Sequence, residues 1–463
     1  MSLPVSRSAT LLVVCVAHFL MPFMMSAVGV ALPAIGREFG ATALQLGLVE
    51  TTYVLSSSIF LLAMGRLGDI HGRRRIFIYG IIIFTIGCGL LSQAWSIESL
   101  IALRFLQGIG GSMIMATTIA IVVAVFPPEE RGKALGIAVA SVYAGISCGP
   151  FLGGILVTTW GWRSIFYLSV PLGLLTLLIT SARLRGEWAD ARGEPFDWKG
   201  GLVYAAAILL LISGASHLNH GLWAFGVMLA GMIGIVLFLY IESRTDYPLL
   251  NMVLLRDNRV FALSNLAALL NYAATFGVTF FFSLYLQYVK GMNAREAGLI
   301  LIVQPLLQTL LSPLCGRLAD RYPASKVATI GMALCALGLG LAARVDAVTP
   351  LPEIMAILAL LGTGFALFSS PNTSVIMGSV APRYLGVASS LGASMRTLGM
   401  MGSMMVITII FSIFMADTAV TPATLPQFLL SMRLALWIFC GLCAIGIVFS
   451  AARLSRSSIS SGV

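Results

Sequence analysis

The sequence predicts an all-α integral membrane protein of fourteen transmembrane helices: two pseudo-symmetric six-helix bundles with two further helices inserted between them. Three observations carry that expectation. Of the 463 residues, 59% are hydrophobic and 10% charged, against roughly 25% charged in an average soluble domain. Apolar runs near the roughly 20 residues that a helix needs to cross hydrocarbon occur at 9–34, 44–66, 76–95, 97–125, 132–157, 163–183, 199–218, 222–242, 259–289, 294–316, 325–343, 350–378, 385–416 and 426–453. A short charged motif, Gly65-Arg66-Leu67-Gly68-Asp69, returns once as Gly316-Arg317-Leu318-Ala319-Asp320, each copy closing the second run of its half. A single recurrence so far along a membrane chain marks two related halves rather than a short repeat.

The first run is too long for the apolar core of a signal peptide and lacks a small-residue cleavage site, so it reads as a retained span. Spans one to six end near Arg183, and the second copy of the motif requires the second half to begin near Arg259. Residues 1–183 and 259–463 are therefore expected to be the two bundles, and 184–258 a linker that contains two extra spans. The flanks of that pair, 185–199 and 242–259, are the most polar stretches in the chain, and no soluble domain is left over. An even number of spans puts both termini on one side. Twenty of the 28 Lys and Arg fall on that side, six on the other, and two, Arg104 and Arg396, within spans. Basic residues concentrate on the cytoplasmic side, so both termini are expected in the cytoplasm, with the chain a multi-pass protein of the cytoplasmic or inner membrane. These positions also account for the net charge of +10 as attraction to anionic lipid, without a nucleic-acid partner. The seven cysteines lie inside apolar runs and read as small packing residues, the Cys440 and Cys443 pair included.

Four sets of residues carry chemistry. In the motif Gly65 to Arg75, the small residues Gly65 and Gly72 let two helices approach, while Asp69 can cap a helix N-terminus or pair with an arginine such as Arg73. Its return at Gly316 and Asp320 favours a gating latch over simple topology. In the fifth run, Gly145, Gly149 and Gly153 fall at i, i+4 and i+8, a stripe without side chains against which a neighbour packs closely. Gly136 and Gly154 flank the stripe, and Pro150 can kink the helix. A plain packing helix is the alternative; a nucleotide loop is excluded because no G-x-x-x-x-G-K-[ST] exists.

The third set is the charges inside spans, Glu50, Arg104 and Arg396, each costing several kcal/mol unless paired or hydrated. Glu50 and Arg104 each stand about seven residues into their spans from the same face, about 10 Å deep, so a pair is geometrically possible. Protonating Glu50 would release the arginine; a static ion pair is the plainer alternative. Arg396, near the midplane, would bind substrate, counter-charge the cavity or be held by helix carbonyls. His18 titrates in a useful range, although a lone histidine in an apolar helix is more often a packing residue. His217 and His220 lack companion ligands, so no metal site is expected. The fourth set, Tyr53, Asn265, Asn271, Tyr272, Phe276, Gln287, Gln304 and Gln308, is expected to line a cavity. The 21 Met and 25 Phe would make that cavity adaptable.

On these residues the chain resembles the major facilitator superfamily, and within it the fourteen-helix branch of drug:proton antiporters, from the first span to the last. The Gly65 motif resembles the family's loop between helices 2 and 3, with Ile70 where a basic residue is usual. Leu100-x-x-x-Arg104-x-x-Gln107-Gly108-x-Gly110 resembles the motif with a membrane arginine. Gly136, Gly145, Gly149-Pro150 and Gly153-Gly154 resemble the antiporter motif, and Trp162-Arg163 with Phe166 and Pro171 resembles the start of helix 6, with Ser169 where Asn is common. One departure matters: aligned on Ala31-Leu32-Pro33, Met24 stands where the branch carries an Asp in helix 1, Ser26 at its Thr and Gly29 at its Asn. The resemblance implies alternating access by two rocking bundles, driven by the proton gradient with no bound cofactor. It implies a monomer that exports small amphiphilic molecules (drugs, dyes, biocides or antibiotics). A metabolite or organic-anion transporter of the same fold is the alternative. A channel is disfavoured by the lack of a filter or charge ring, and an enzyme by the lack of clustered His or carboxylates in any span.

Overall fold

The computed structural model describes residues 7–184, 186–250, 252–380, 385–415 and 418–453. Among them there is no strand, and fourteen helices are long and apolar enough to cross a membrane. They are α1 (Arg7–Phe39), α2 (Ala43–His71), α3 (Arg73–Leu91), α4 (Ile97–Val125), α5 (Pro128–Trp160), α6 (Arg163–Arg183), α7 (Trp198–Ser216), α8 (Leu222–Glu242), α9 (Arg259–Val289), α10 (Ala294–Leu301, continuing as Val303–Arg321), α11 (Ala324–Ala342), α12 (Leu351–Gly378), α13 (Leu385–Phe414) and α14 (Leu425–Ala452). The membrane face where α1 begins is called the N-terminal face below, and the other the far face.

Several boundaries differ from those expected, for physical reasons. The second helix does not stop at residue 66 but runs on to His71, because a charged helix can leave hydrocarbon without unwinding. Only Gly72 separates it from α3, at φ 114°, a left-handed conformation that glycine adopts without strain. The ninth span is broken at Phe276, and its last turn, Tyr285–Val289, is a π-helix. At the break the Gly277 amide donates to Ser403 Oγ of α13 at 2.9 Å, so a neighbour satisfies backbone that would otherwise be stranded in hydrocarbon. The tenth span is interrupted at Ile302. Three residues on, Pro305 has no amide to give, and its ring crowds the carbonyl of Leu301.

Helices 1 to 6 pack on one another, α1 on α5, α2 and α3 on α4, and α6 on α3 and α1; α9 to α14 do likewise through α9, α11 and α12. The two sets meet where α2 crosses α13 and α5 crosses α10. Among the described residues, every hydrogen bond between the sets lies at mid-depth or towards the far face. Ser283 Oγ donates to the Gly29 carbonyl at 2.7 Å and Gln287 Nε2 to that of Val30 at 3.0 Å. Ser147 Oγ donates to the Pro305 carbonyl at 3.0 Å, and the Ala43 amide to that of Thr418 at 2.9 Å. The far face is closed. The inserted pair α7 and α8 does more than join the halves, since α7 lies across their seam: Tyr204 Oη donates to the Ser58 carbonyl of α2, and Ser412 Oγ of α13 to the Ser216 carbonyl of α7.

The glycine stripe of α5 is two-sided. A Cβ on Gly145 would overlap the Phe19 carbonyl of α1, and one on Gly153 would sit 2.8 Å from Ala27 Cβ. Gly154 instead faces the other set, where a Cβ would stand 2.5 Å from the Ala294 carbonyl. Close approach of this kind is what small residues provide inside a bilayer. Replacing Gly145 by Val is expected to cost at least the roughly 1–3 kcal/mol of an overpacked site and to lower the melting temperature in detergent. Gly441→Ala in α14, where a Cβ meets nothing within 4 Å, should leave it unchanged.

Candidate functional site

Packing of α2 against α4 brings together the two charges that the sequence placed at equal depth. Arg104 is completely buried and Glu50 is 4% exposed. Arg104 Nη2 lies 3.4 Å from Glu50 Oε2, its Nη1 donates to Gln107 Oε1 at 2.7 Å, and its Nε to the Val49 carbonyl at 3.1 Å. The Tyr53 ring lies 4.5 Å from the guanidinium carbon, within cation–π range. A charge-assisted contact is normally 2.7–2.9 Å, so the carboxylate is held loosely. Its other oxygen, Oε1, is buried without a hydrogen-bond partner, and a Cβ on Gly29 of α1 would lie 3.9 Å from it. A buried pair left half-satisfied is costly to keep and easy to change.

A second group lies at mid-depth, drawn from both sets of helices. On α13, Arg396 sits with its Cζ 5.9 Å from the Tyr272 ring of α9. His18 of α1 and Tyr143 of α5 stand at a similar depth on the first set of helices. Tyr143 Oη and Ser369 Oγ of α12 are 2.8 Å apart, and His18 Nδ1 is 3.3 Å from the Ala138 carbonyl. The remaining cavity candidates scatter. Tyr53 belongs with Arg104. Asn265 donates to the Phe261 carbonyl of its own helix, and Asn271 is fully buried with both side-chain polar atoms unpartnered. Gln287 bridges to α1, and Gln304 and Gln308 are buried on α10. Phe276 marks the break in α9. Tyr143 and Ser369 were not singled out from the sequence, and nothing in their spacing marks them.

The Gly65 motif forms a third group. Of the two roles open to Asp69, the structure shows the arginine pairing: α3 has no side-chain cap, and Arg73 Nη2 lies 2.8 Å from Asp69 Oδ1. Less foreseeable is its cover. The connection after α6 folds back along the motif, with Arg73 2.8 Å from Asp190, Arg66 2.5 Å from Glu194, the Arg74 amide donating to Glu187 Oε1 and the Ala191 amide to the Asp69 carbonyl. The three acids Glu187, Asp190 and Glu194 were the available signal; the path of the connection was not. In the second copy, a Cβ on Gly316 would stand 3.3 Å from Ser370 Oγ. The side chain of Asp320 and the surroundings of Gly136 lie outside the described residues.

Fourteen apolar helices, twelve of them in two packed sets closed at one face around buried charges, define a membrane transport protein rather than an enzyme. The sequence profile of the Major Facilitator Superfamily matches residues 14–255 and 265–461, and the chain belongs to that family. It is 30% identical over 449 residues to the riboflavin transporter RibZ of Clostridioides difficile (strain 630), covering 95% of this chain and 96% of that one. It is 32% identical over 378 residues to the multidrug resistance protein Stp of Mycobacterium tuberculosis (strain CDC 1551 / Oshkosh), covering 80% and 70%, and 30% identical over 440 residues to the cephamycin export protein CmcT of Amycolatopsis lactamdurans, covering 91% and 87%. In fold it is similar to a bacterial homolog of the human lysosomal transporter Spinster in an inward-facing, unoccupied conformation, with a TM-score of 0.67, 17% identity and 96% of each chain covered.

The acidic cover on the motif is testable by itself. Glu194→Gln should speed amide exchange across 186–197 by about 5-fold, the factor that roughly 1 kcal/mol of lost pairing would give, without changing exchange in α11. Hydrogen–deuterium exchange of the purified protein measures both.

Proposed function

We propose that this protein is a proton-coupled exporter of small amphiphilic molecules, in which residues 1–183 and 259–463 rock about a shared site and the N-terminal face is cytoplasmic. On this reading the structure is the inward-facing arrangement, consistent with hydrogen bonds between the halves that stop at mid-depth. The observation that carries the proposal is the Arg104–Glu50 pair. Beside Glu50 on α2, Thr51 Oγ1 lies 3.3 Å from Thr408 Oγ1 of α13, and Gly47 one turn earlier packs on Phe411 and Ile407. The titratable carboxylate and the seam between the halves therefore share one turn of helix. Glu50 is sealed from water while the far face is shut, so it can exchange a proton with the outside only when that face opens. Protonation cancels its attraction for Arg104, and the energy of the buried pair changes with the conformation.

The export direction and the amphiphilic substrates rest on the relatives whose names record multidrug resistance and cephamycin export. One observation favours a second reading, transport of a metabolite: the riboflavin transporter aligns with 95% of this chain. No cofactor enters either reading, and the working unit is taken as a monomer in the lipid bilayer. A growth-inhibition panel comparing cells with and without the protein separates the two, since export of toxic amphiphiles protects cells and metabolite transport does not.

For coupling, Glu50→Gln in proteoliposomes should reduce pH-gradient-driven flux at least 10-fold while substrate affinity stays within about 2-fold. Undiminished flux would remove Glu50 from the coupling role.

A further inference from the structure

Arg104, Arg396 and Arg453 lie among the packed helices away from the charged motif at the rim, and they differ in what neutralises them. Arg104 has Glu50 and two further acceptors. Arg453, at the end of α14, is wrapped by Ser264 Oγ, Asn372 Oδ1, Ser450 Oγ and the Ser450 carbonyl. Arg396 has no ion pair or hydrogen bond among the described residues, and its Nε is buried without a partner. What faces it is an aromatic ring, Tyr272; His18 and Tyr143 stand at a similar depth on α1 and α5, and neither an imidazole nor a phenol carries a negative charge at neutral pH.

Its position makes that deficit informative. Arg396 is eleven residues from the start of α13, His18 eleven from that of α1, Tyr272 thirteen from that of α9 and Tyr143 fifteen from that of α5. At about 1.5 Å per residue these four side chains start from depths within about 6 Å of each other, two from each half, at the level where the hydrogen bonds between the halves give out. A charge at that depth without a counter-charge costs several kcal/mol, and a guanidinium with unused donors is shaped to take a carboxylate or phosphate through two parallel hydrogen bonds. Tyr272 packs edge-on against Phe365, with ring centroids 5.3 Å apart, which gives an aromatic wall beside the charge.

We propose that Arg396 is the anion-binding residue of the transport site, and that the molecules carried bear a carboxylate or other acidic group set on an aromatic or apolar body that lies against Tyr272. Permanently cationic amphiphiles are then poor ligands, because among the described residues no carboxylate is placed opposite Arg396. This rests on the exporter reading for the existence of a central site, and it narrows the substrates to acids.

The test uses the full chain in lipid nanodiscs and two xanthene dyes, anionic fluorescein and cationic rhodamine 6G, with binding followed by fluorescence anisotropy. Wild-type protein should bind fluorescein at least 10-fold more tightly than rhodamine 6G. Arg396→Gln should weaken fluorescein 10-fold or more and leave rhodamine 6G unweakened, and Arg396→Lys should recover part of the loss. Equal or better binding of the cation, no binding of fluorescein, or fluorescein binding indifferent to Arg396→Gln overturns the proposal. A measurement without ligand checks the same claim. An arginine kept for a ligand is a burden on the empty protein, so Arg396→Met should raise the melting temperature; a lowered one would assign Arg396 to structure and overturn the proposal. The exporter reading fails separately. Fluorescein bound through Arg396 but not moved by a pH gradient would retain the anion site and remove proton-driven export. Rhodamine 6G moved by the gradient independently of Arg396 would do the reverse.

Discussion

A guanidinium fully enclosed by helices has to be answered by something close, and here Arg104 is answered by a single carboxylate oxygen at 3.4 Å, a glutamine and a backbone carbonyl. Much of the first half is arranged around keeping those partners in reach. Gly108, one turn along α4, packs so tightly on α2 that a Cβ there would strike Ser56 Oγ and lie 2.6 Å from the Tyr53 carbonyl. Gly110 and Gly80 bring α3 equally close on the other side of α4. Because the bilayer offers no hydrophobic force between helices, such contacts come from small residues and from polar side chains that bond across helices. The charge pair and the glycines are two parts of one device.

The same economy shows at the far face. Where α9 breaks and then widens into a π-turn, its side chains reach α1 carbonyls, and Gly277 borrows a hydroxyl from α13. The seal between the halves is therefore made largely of hydrogen bonds to backbone carbonyls and of close glycine contacts rather than of ion pairs. Contacts of that kind can be made and broken without leaving a charge in hydrocarbon. Ion pairs at that face stay within one half, as Arg163 does with Glu38 at 2.6 Å, while Asp69, Arg73 and the acidic connection lie at the N-terminal rim and Arg104 and Arg396 stand inside the spans.

How much of this could be read from the residues alone follows from what each feature depends on. The fourteen spans were legible because length and apolarity are properties of a segment by itself. The Glu50–Arg104 contact was legible because both residues stand at the same offset from one face on helices that pack, and the Asp69–Arg73 pair because it lies within a single motif. The orientation of a helix about its axis was not legible where the helix is apolar all round. That is why the residues expected together at a cavity fall into separate groups, and why Tyr143 went unnoticed. The acidic cover on the Gly65 motif depends on the route of a polar connection that carries no periodicity. The break in α9 depends on a hydroxyl supplied by a different helix.

The central claim is that the closed far face must open during every transport cycle. Ala43 and Thr418, joined there by a backbone hydrogen bond across the seam, offer the most direct check. In a background without the seven native cysteines, Ala43→Cys and Thr418→Cys are oxidised to a cross-link in proteoliposomes, and pH-gradient-driven flux is measured before and after reduction. The account predicts that the cross-linked protein is silent and that reduction restores its flux; undiminished flux through fully cross-linked protein would contradict it.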